Sequence, residues 1–360
     1  MARQSGSIAA SVSERGAHRA ERRGSALLDV ADLSVTFAHR GAPTVHAVDG
    51  VSFTVDEGEV VGLVGESGCG KSVTSLAIMG LLPRRGVQVS GRAVFDGRDL
   101  LTLSDDEMRD IRGRDIAMIF QDPLSSLNPI VPIGVQVAEV LIRHRKLDRA
   151  EARRESAELL DRVGIPDPQR RLREYPHQLS GGMRQRALIA MAVACRPRLL
   201  IADEPTTALD VTIQAQILEL LKSLVRESGT ALIMITHDLG VVAGMCDTIN
   251  VLYAGRVVET ASRRPLFAEP RHPYTVGLLG SIPRLDGARE DKLRPIPGSV
   301  RDVLPWPDGC AFAPRCDRRV DACVGEPPAM TAAPGGRAYR CVNPVLAVTT
   351  PPAALAKEQP

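Results

Sequence analysis

No apolar run in this 360-residue chain approaches the roughly 18 residues needed to cross a bilayer, and the longest, Ala187 to Cys195, is bounded by arginines. Any role at a membrane must therefore come through partners. The first stretch, Met1 to Arg23, mixes Ser, Ala, Arg and Glu without a hydrophobic centre, so it does not read as a secretory signal. It is expected to be a disordered lead-in, and the chain is expected to be cytosolic. Neither sign of charge dominates, because 45 Lys and Arg face 43 Asp and Glu, which gives no reason to expect a nucleic-acid partner. With 44% hydrophobic residues, the length suits one large α/β domain with appendages.

What is present is a set of short motifs on alternating strand and helix patterns. LLDVADLSVTF and VHAVDGVSFTV alternate over Leu27 to Val55 and predict antiparallel strands. Gly91 to Leu100 reads as a short strand and turn, and Ser104 with Glu107 three residues on forms a capping box. A strand is expected at Ile116 to Phe120, then helix from Ile133 to Arg173, with Asp148 as a cap and a stop at Gly164. Ala187 to Cys195 reads as a buried helix, Leu199 to Ala202 as a buried strand, Ile213 to Arg226 as an amphipathic helix and Ala231 to Thr236 as another strand. Beyond Pro265 proline becomes dense and periodicity is lost. The expected divisions are a lead-in over 1–25, a main unit over 26–265 with an inserted helical block over about 122–185, an extension over 266–345 and a tail over 346–360.

The sequence GESGCGKS, from Gly65 to Ser72, has the form Gly-x4-Gly-Lys-Ser between the apolar run Val60 to Val64 and a helix-like segment. That is the context a phosphate-binding loop requires. Gly65, Glu66, Ser67, Gly68, Cys69, Gly70, Lys71, Ser72 and Val73 are the expected contacts to ATP, since backbone N–H groups form a nest and the helix end adds its field. Lys71 is expected at the β- and γ-phosphates and Ser72 on Mg²⁺. LLIADEPTTALD, Leu199 to Asp210, is an apolar strand delivering Asp203 for Mg²⁺. Glu204 next to it points the other way on a strand and is the expected general base. Gln121 and His237, each just after a strand, are expected at the γ-phosphate end. In LSGGMRQR, Ser180 is a natural cap, and Gly181 and Gly182 leave backbone N–H groups open at a second helix N-terminus. One nucleotide does not need two such ends so far apart, so this second site is expected to serve a nucleotide held by a partner subunit.

With these residues the chain resembles the nucleotide-binding subunits of ABC transporters over about Leu27 to Arg264. The resemblance rests on the phosphate loop, Gln121 in FQDP, LSGG, Asp203 with Glu204, the Ala208-Leu209-Asp210 loop and His237. FQDPLSSLNP (Phe120 to Pro129), SGGMRQR, RHPYT (Arg271 to Thr275) and GCAFAPRC (Gly309 to Cys316) make it most similar to the dipeptide and oligopeptide importers. The resemblance implies a P-loop NTPase fold of ABC type: a RecA-like core, an antiparallel β-subdomain, an inserted helical subdomain and a loop-rich C-terminal extension. It implies a head-to-tail dimer with an identical or homologous ATPase, in which Ser180, Gly181, Gly182 and Asp210 touch ATP in trans. It also implies Gln121 near Mg²⁺, Phe37 as the residue stacking on adenine, two transmembrane permease subunits and an extracytoplasmic substrate-binding protein. The chain itself would sit on the cytoplasmic face of the membrane. Importers for nickel, glutathione and other small solutes have closely similar ATPases, so cargo stays open between these classes. A soluble ABC-type ATPase acting on DNA or ribosomes fits less well, because such proteins carry a long coiled-coil insertion or two ATPase domains.

Seven cysteines fall into two sets. Cys195 and Cys246 lie in apolar surroundings and read as inert. Cys69, beside a helix N-terminus that lowers a thiol's pKa, is expected to be reactive. Cys310, Cys316, Cys323 and Cys341 crowd a loop-rich segment with little core of its own, which suits a metal staple better than cytosolic disulfides. Their spacing lacks the Cys-x2-Cys pair of zinc ribbons, and zinc, an iron–sulfur centre and free thiols all stay open on the residues alone. The resemblance implies a [4Fe–4S] cluster held by all four.

Overall fold

In a computed structural model, the described residues are 26–38, 41, 44–207, 209–281, 296–300 and 308–346. The expected lead-in over 1–25, Ala208 and all but the first residue of the expected tail lie outside them.

The two alternating segments form β1 (Leu28–Phe37) and β2 (Val45–Val55), paired antiparallel as expected. β3 (Val60–Val64) leads into the phosphate loop. β4 (Val87–Phe95) and β5 (Arg98–Asp99) complete a four-stranded sheet in the order β2-β1-β4-β5. β4 starts before the expected Gly91, which sits inside it at φ +96° opposite a bulge in β1, where a side chain would run into the Asp32 carbonyl.

The second sheet has eight strands. β6 (Ile116–Ile119), β7 (Leu199–Asp203), β8 (Ala231–Thr236), β9 (Thr248–Tyr253), β10 (Arg256–Ser262), β11 (Thr331–Ala333) and β12 (Arg337–Tyr339) join β3 in the order β11-β12-β10-β9-β3-β8-β7-β6. The run from β9 to β6 is parallel and the other three strands are antiparallel. The β9–β10 hairpin goes beyond the strands expected from sequence; its signal is the Ala254-Gly255 turn, where both residues have positive φ.

Strand alternation gives this sheet two cores. Leu200, Ala202, Leu232 and Met234 face a core shared with the helical block, while Leu199, Ile201, Ile233 and Ile235 face one shared with the β1–β5 sheet. Both faces are therefore covered, and β7 and β8 are buried along their whole length. Truncating a central residue such as Ile201 to Ala would cost about 2–5 kcal/mol.

The expected helical stretch from Ile133 to Arg173 is divided into Ile133–Arg145, Arg149–Arg162 and Pro168–Arg171. Asp148 caps the middle helix by accepting from Ala150 and Glu151 N–H groups, and the Ser104–Glu107 capping box is present. No described helix is long and apolar enough to cross a membrane.

The segment after Pro265 is tied to the main sheet. β12 pairs with β10 through Glu259–Tyr339 and Thr260–Ala338, with β11 outside it. The buried Glu259 carboxylate accepts from the backbone N–H groups of Arg271 (2.7 Å) and His272 (2.8 Å), which fixes the start of RHPYT and buries Tyr274.

Candidate nucleotide-binding and hydrolysis site

Four parallel strands deliver their C-terminal ends to one edge of the sheet. Register pairs Val64 with Thr236, Asp203 with Ile235 and Ile119 with Ala202, so the residues that follow β3, β8, β7 and β6 emerge side by side. This is the crevice where open α/β sheets bind ligands.

After β3 the chain turns through Gly65 to Gly70 into the helix Lys71–Ile78. Gly70 caps it at φ +104°, and a Cβ there would lie 2.5 Å from the Ala47 carbonyl oxygen, so only glycine fits. Ser67 and Gly68 are exposed on the rim and Val73 is half-buried in the first helical turn. Lys71 is only 5% exposed, and its Nζ donates to the carbonyl oxygens of Gly65 (2.7 Å) and Glu66 (3.0 Å). The loop is thus closed over its own lysine.

Ser72 Oγ donates to Asp203 Oδ1 at 2.9 Å, which brings together the two oxygen donors expected on Mg²⁺. Burial pushes the Asp203 carboxyl above its ordinary range, the Ser72 hydroxyl opposing this. Glu204, one residue on, adopts the left-handed region at φ +45° and turns to a different set of partners. Gln121 Nε2 donates to its Oε2 at 3.0 Å, Thr207 Oγ1 donates to the same oxygen at 2.9 Å, and His237 Nδ1 stands 3.2 Å from Oε1. Burial raises the Glu204 carboxyl, but the bonds from Thr207 and His237 outweigh it and leave the group below the usual carboxylate range. It is ionised at neutral pH, as a base must be. Gln121, Glu204 and His237 come from three separate strand ends. Thr207 is a partner that sequence reading missed, although its position three residues after Glu204 was a signal.

Ser180 is exposed and caps the helix Gly181–Val193, its Oγ accepting from Met183 N–H at 3.3 Å. Gly181 is exposed and Gly182 half-buried, and among the described residues none of the three hydrogen-bonds its own phosphate loop. Asp210 caps the helix Val211–Ser228 through a bond from Ile213 N–H at 3.0 Å. Phe37 ends β1 opposite Val45 and Val87, half-buried against the β1–β5 core.

Cys69 departs from expectation. It is fully buried, and burial pushes its thiol up despite Lys71 nearby, so it is a protonated packing residue rather than a reactive one.

Cys310, Cys316, Cys323 and Cys341 line one pocket together with His272, Phe312 and Arg318. Burial raises the Cys310 and Cys316 thiols and pushes Cys341 up to about 11, so each would have to lose a proton to bind a metal. Among the described residues no group of three or more His, Cys, Asp or Glu side chains is drawn together closely enough to hold a metal ion.

Comparisons with known proteins show the family. Residues 48–207 match the family model "ABC transporter", and residues 258–323 match "Oligopeptide/dipeptide transporter, C-terminal region". The chain is 54% identical over 318 residues to the dipeptide transport ATP-binding protein DppD of Bacillus subtilis, covering 88% of this chain and 94% of the relative. It is 50% identical over 329 residues to the oligopeptide transport ATP-binding protein OppD of Salmonella typhimurium, covering 91% and 97%. Among solved structures it is similar to a dimeric ATP-binding cassette in a post-hydrolysis state bound to ADP and Pi, at TM-score 0.59 and 30% identity, covering 66% of this chain and 99% of the other. The chain belongs to the ABC transporter ATPase family and carries the C-terminal region of its oligopeptide and dipeptide transporters.

Proposed function

We propose that this chain is the ATP-hydrolysing motor subunit of a membrane importer for dipeptides or oligopeptides. The observation that carries the reading is the placement of Glu204 between Gln121, Thr207 and His237, beside an Asp203–Ser72 pair at the mouth of a phosphate loop. An ionised Glu204 takes the proton of the attacking water, Gln121 and His237 orient that water and the γ-phosphate, and Lys71 leaves the Gly65 and Glu66 carbonyls to meet phosphate charge. Ser72, Asp203 and Gln121 offer hard oxygen donors for Mg²⁺, which when bound neutralises β- and γ-phosphate oxygens. Phe37 is proposed against adenine.

The unit over 26–265 is read as the ATPase and 266–345 as the extension. Exposed Ser180 and Gly181, with Gly182 and Asp210, would complete the site on a second ATPase subunit, identical or homologous. Two permease subunits would hold the pair at the cytoplasmic face of the membrane, with an extracytoplasmic binding protein presenting the peptide. The names of the relatives support peptide cargo over nickel or glutathione. Four thiols on one pocket have the chemistry a [4Fe–4S] cluster takes, but as they stand they are not drawn together as a metal-holding group. They would have to close in and lose their protons before a cluster could staple the turn carrying Cys310 and Cys316 to Cys323 and Cys341. Iron and sulfide analysis of anaerobically purified protein tests this; colourless protein with stoichiometric zinc refutes it.

The functional test is isolation from detergent-solubilised membranes followed by reconstitution. Two membrane subunits should co-purify, and the vesicles should take up labelled dipeptide or oligopeptide only with MgATP. Recovery with ribosomes or DNA and no membrane subunit would overturn the proposal, and ATP-driven uptake of nickel or glutathione instead of peptide would move the cargo.

A further inference from the structure

The phosphate loop is gripped from far outside its own motif. The Glu66 carboxylate receives both terminal nitrogens of Arg315, Nη1 to Oε2 at 2.8 Å and Nη2 to Oε1 at 3.1 Å, across 249 residues of sequence. Its backbone N–H donates to the Tyr274 hydroxyl oxygen at 2.8 Å. Arg315 is itself locked: Nε donates to the Pro297 carbonyl (2.7 Å), Nη2 to the Gly298 carbonyl (3.0 Å), and the guanidinium lies 5.7 Å from the Tyr253 ring centre. Its side chain is 6% exposed and that of Glu66 26%, so this two-pronged ion pair is shielded in a way ordinary surface pairs are not. Phe312, three residues before Arg315, packs on both Tyr253 and Tyr274, with ring centres 5.2 and 5.4 Å away.

The contacts converge on the peptide that matters to the lysine. Lys71 Nζ is held by the carbonyls of Gly65 and Glu66, the same corner that Arg315 and Tyr274 fix from the other side. With that corner fixed from outside, fewer loop shapes are open when Lys71 leaves the two carbonyls for phosphate, and a loop with fewer shapes open to it loses less conformational entropy when nucleotide arrives. We propose that Arg315, supported by Tyr274, is a positioning residue through which the C-terminal segment sets the shape of the phosphate loop and hence its affinity for MgATP. The inference rests on the chain being an ATPase, and goes beyond that reading because neither residue belongs to the nucleotide motifs.

The test is a split between affinity and turnover. The Kd for MgATP is measured on the full chain by titration with a fluorescent ATP analogue, and KM and kcat on the assembled transporter. Arg315→Ala should raise Kd and KM roughly tenfold while kcat stays within about twofold, as expected for loss of a charge-assisted bidentate contact that acts before the chemical step. Arg315→Lys, which keeps charge but loses the fork, should fall between. Glu66→Ala, Arg315→Ala and the double variant should be non-additive, the double costing little more than either single. If Arg315→Ala does not fold by circular dichroism, Arg315→Lys and Tyr274→Phe carry the test, each with a roughly threefold rise in Kd. Unchanged Kd in these variants, or a loss confined to kcat, overturns the proposal. A wild-type complex that binds no MgATP would instead defeat the ATPase reading, which keeps the two failures apart.

Discussion

Asp203 and Glu204 are neighbours in sequence but serve different partners. Asp203 receives the Ser72 hydroxyl at 2.9 Å, while Glu204, turned to φ +45°, meets His237 at 3.2 Å and Gln121 at 3.0 Å. One carboxylate is aimed at the phosphate loop and the other at the ends of the flanking strands. Their carboxyls also shift in opposite directions, burial raising Asp203 while hydrogen bonds from Thr207 and His237 lower Glu204.

The raised Asp203 has a thermodynamic sign. Between its unfolded and folded pKa the native chain holds a proton that the unfolded chain has lost, so its contribution to stability grows as pH falls through the folded pKa and is a cost at neutral pH. In magnesium-free protein at pH 7.5, Asp203→Asn should therefore raise Tm by about 1–3 °C, equivalent to roughly 1 kcal/mol. MgATP should raise the wild-type Tm and leave the variant's nearly unchanged. A lower Tm for Asp203→Asn in magnesium-free buffer would contradict the assignment.

The separation of Ser180 from its own loop predicts a division between binding and turnover. Ser180→Arg should leave the MgATP affinity of the isolated chain within about twofold, whereas Lys71→Ala should weaken it at least tenfold through loss of a charge-assisted phosphate contact. Both should abolish ATP hydrolysis by the assembled transporter. Equilibrium titration of the two variants checks this. A tenfold loss of own-chain affinity in Ser180→Arg would place LSGG in the same site as its own phosphate loop.

Much of this arrangement was legible in the sequence because it depends on local rules. Apolar runs ending in a loop or an acid placed β3 and β7, and a cap three residues ahead of its acceptor placed the Ser104 helix. Parallel strands then bring Gly65, Gln121, Glu204 and His237 to one edge without further information. Cys69 was misjudged because proximity to a helix N-terminus is visible in sequence and burial is not. The grip of Arg315 and Tyr274 on Glu66 was illegible for a different reason. It joins residues more than 200 positions apart through a proline-rich segment without periodicity, where only tertiary packing decides the contact.

The burial of Cys69 gives its own test. Treatment of the native, nucleotide-free chain with a maleimide, followed by peptide mapping, should show Cys69 unmodified while the chain remains folded. Adding ATP should make no difference, and the thiol should label after denaturation. Rapid stoichiometric labelling of the native chain, blocked by ATP, would mean that the loop opens and exposes the thiol.

The most direct measurement of the account is MgATP binding and hydrolysis by Glu204→Gln beside the wild type in the assembled transporter. Glutamine keeps the size of the side chain and retains an oxygen for Thr207 but cannot take a proton from water. ATP affinity should stay within about twofold, while kcat falls by a factor on the order of 10² to 10⁴, the contribution of a positioned general base. Hydrolysis at the wild-type rate by Glu204→Gln would remove Glu204 from the chemistry and contradict the reading of the site.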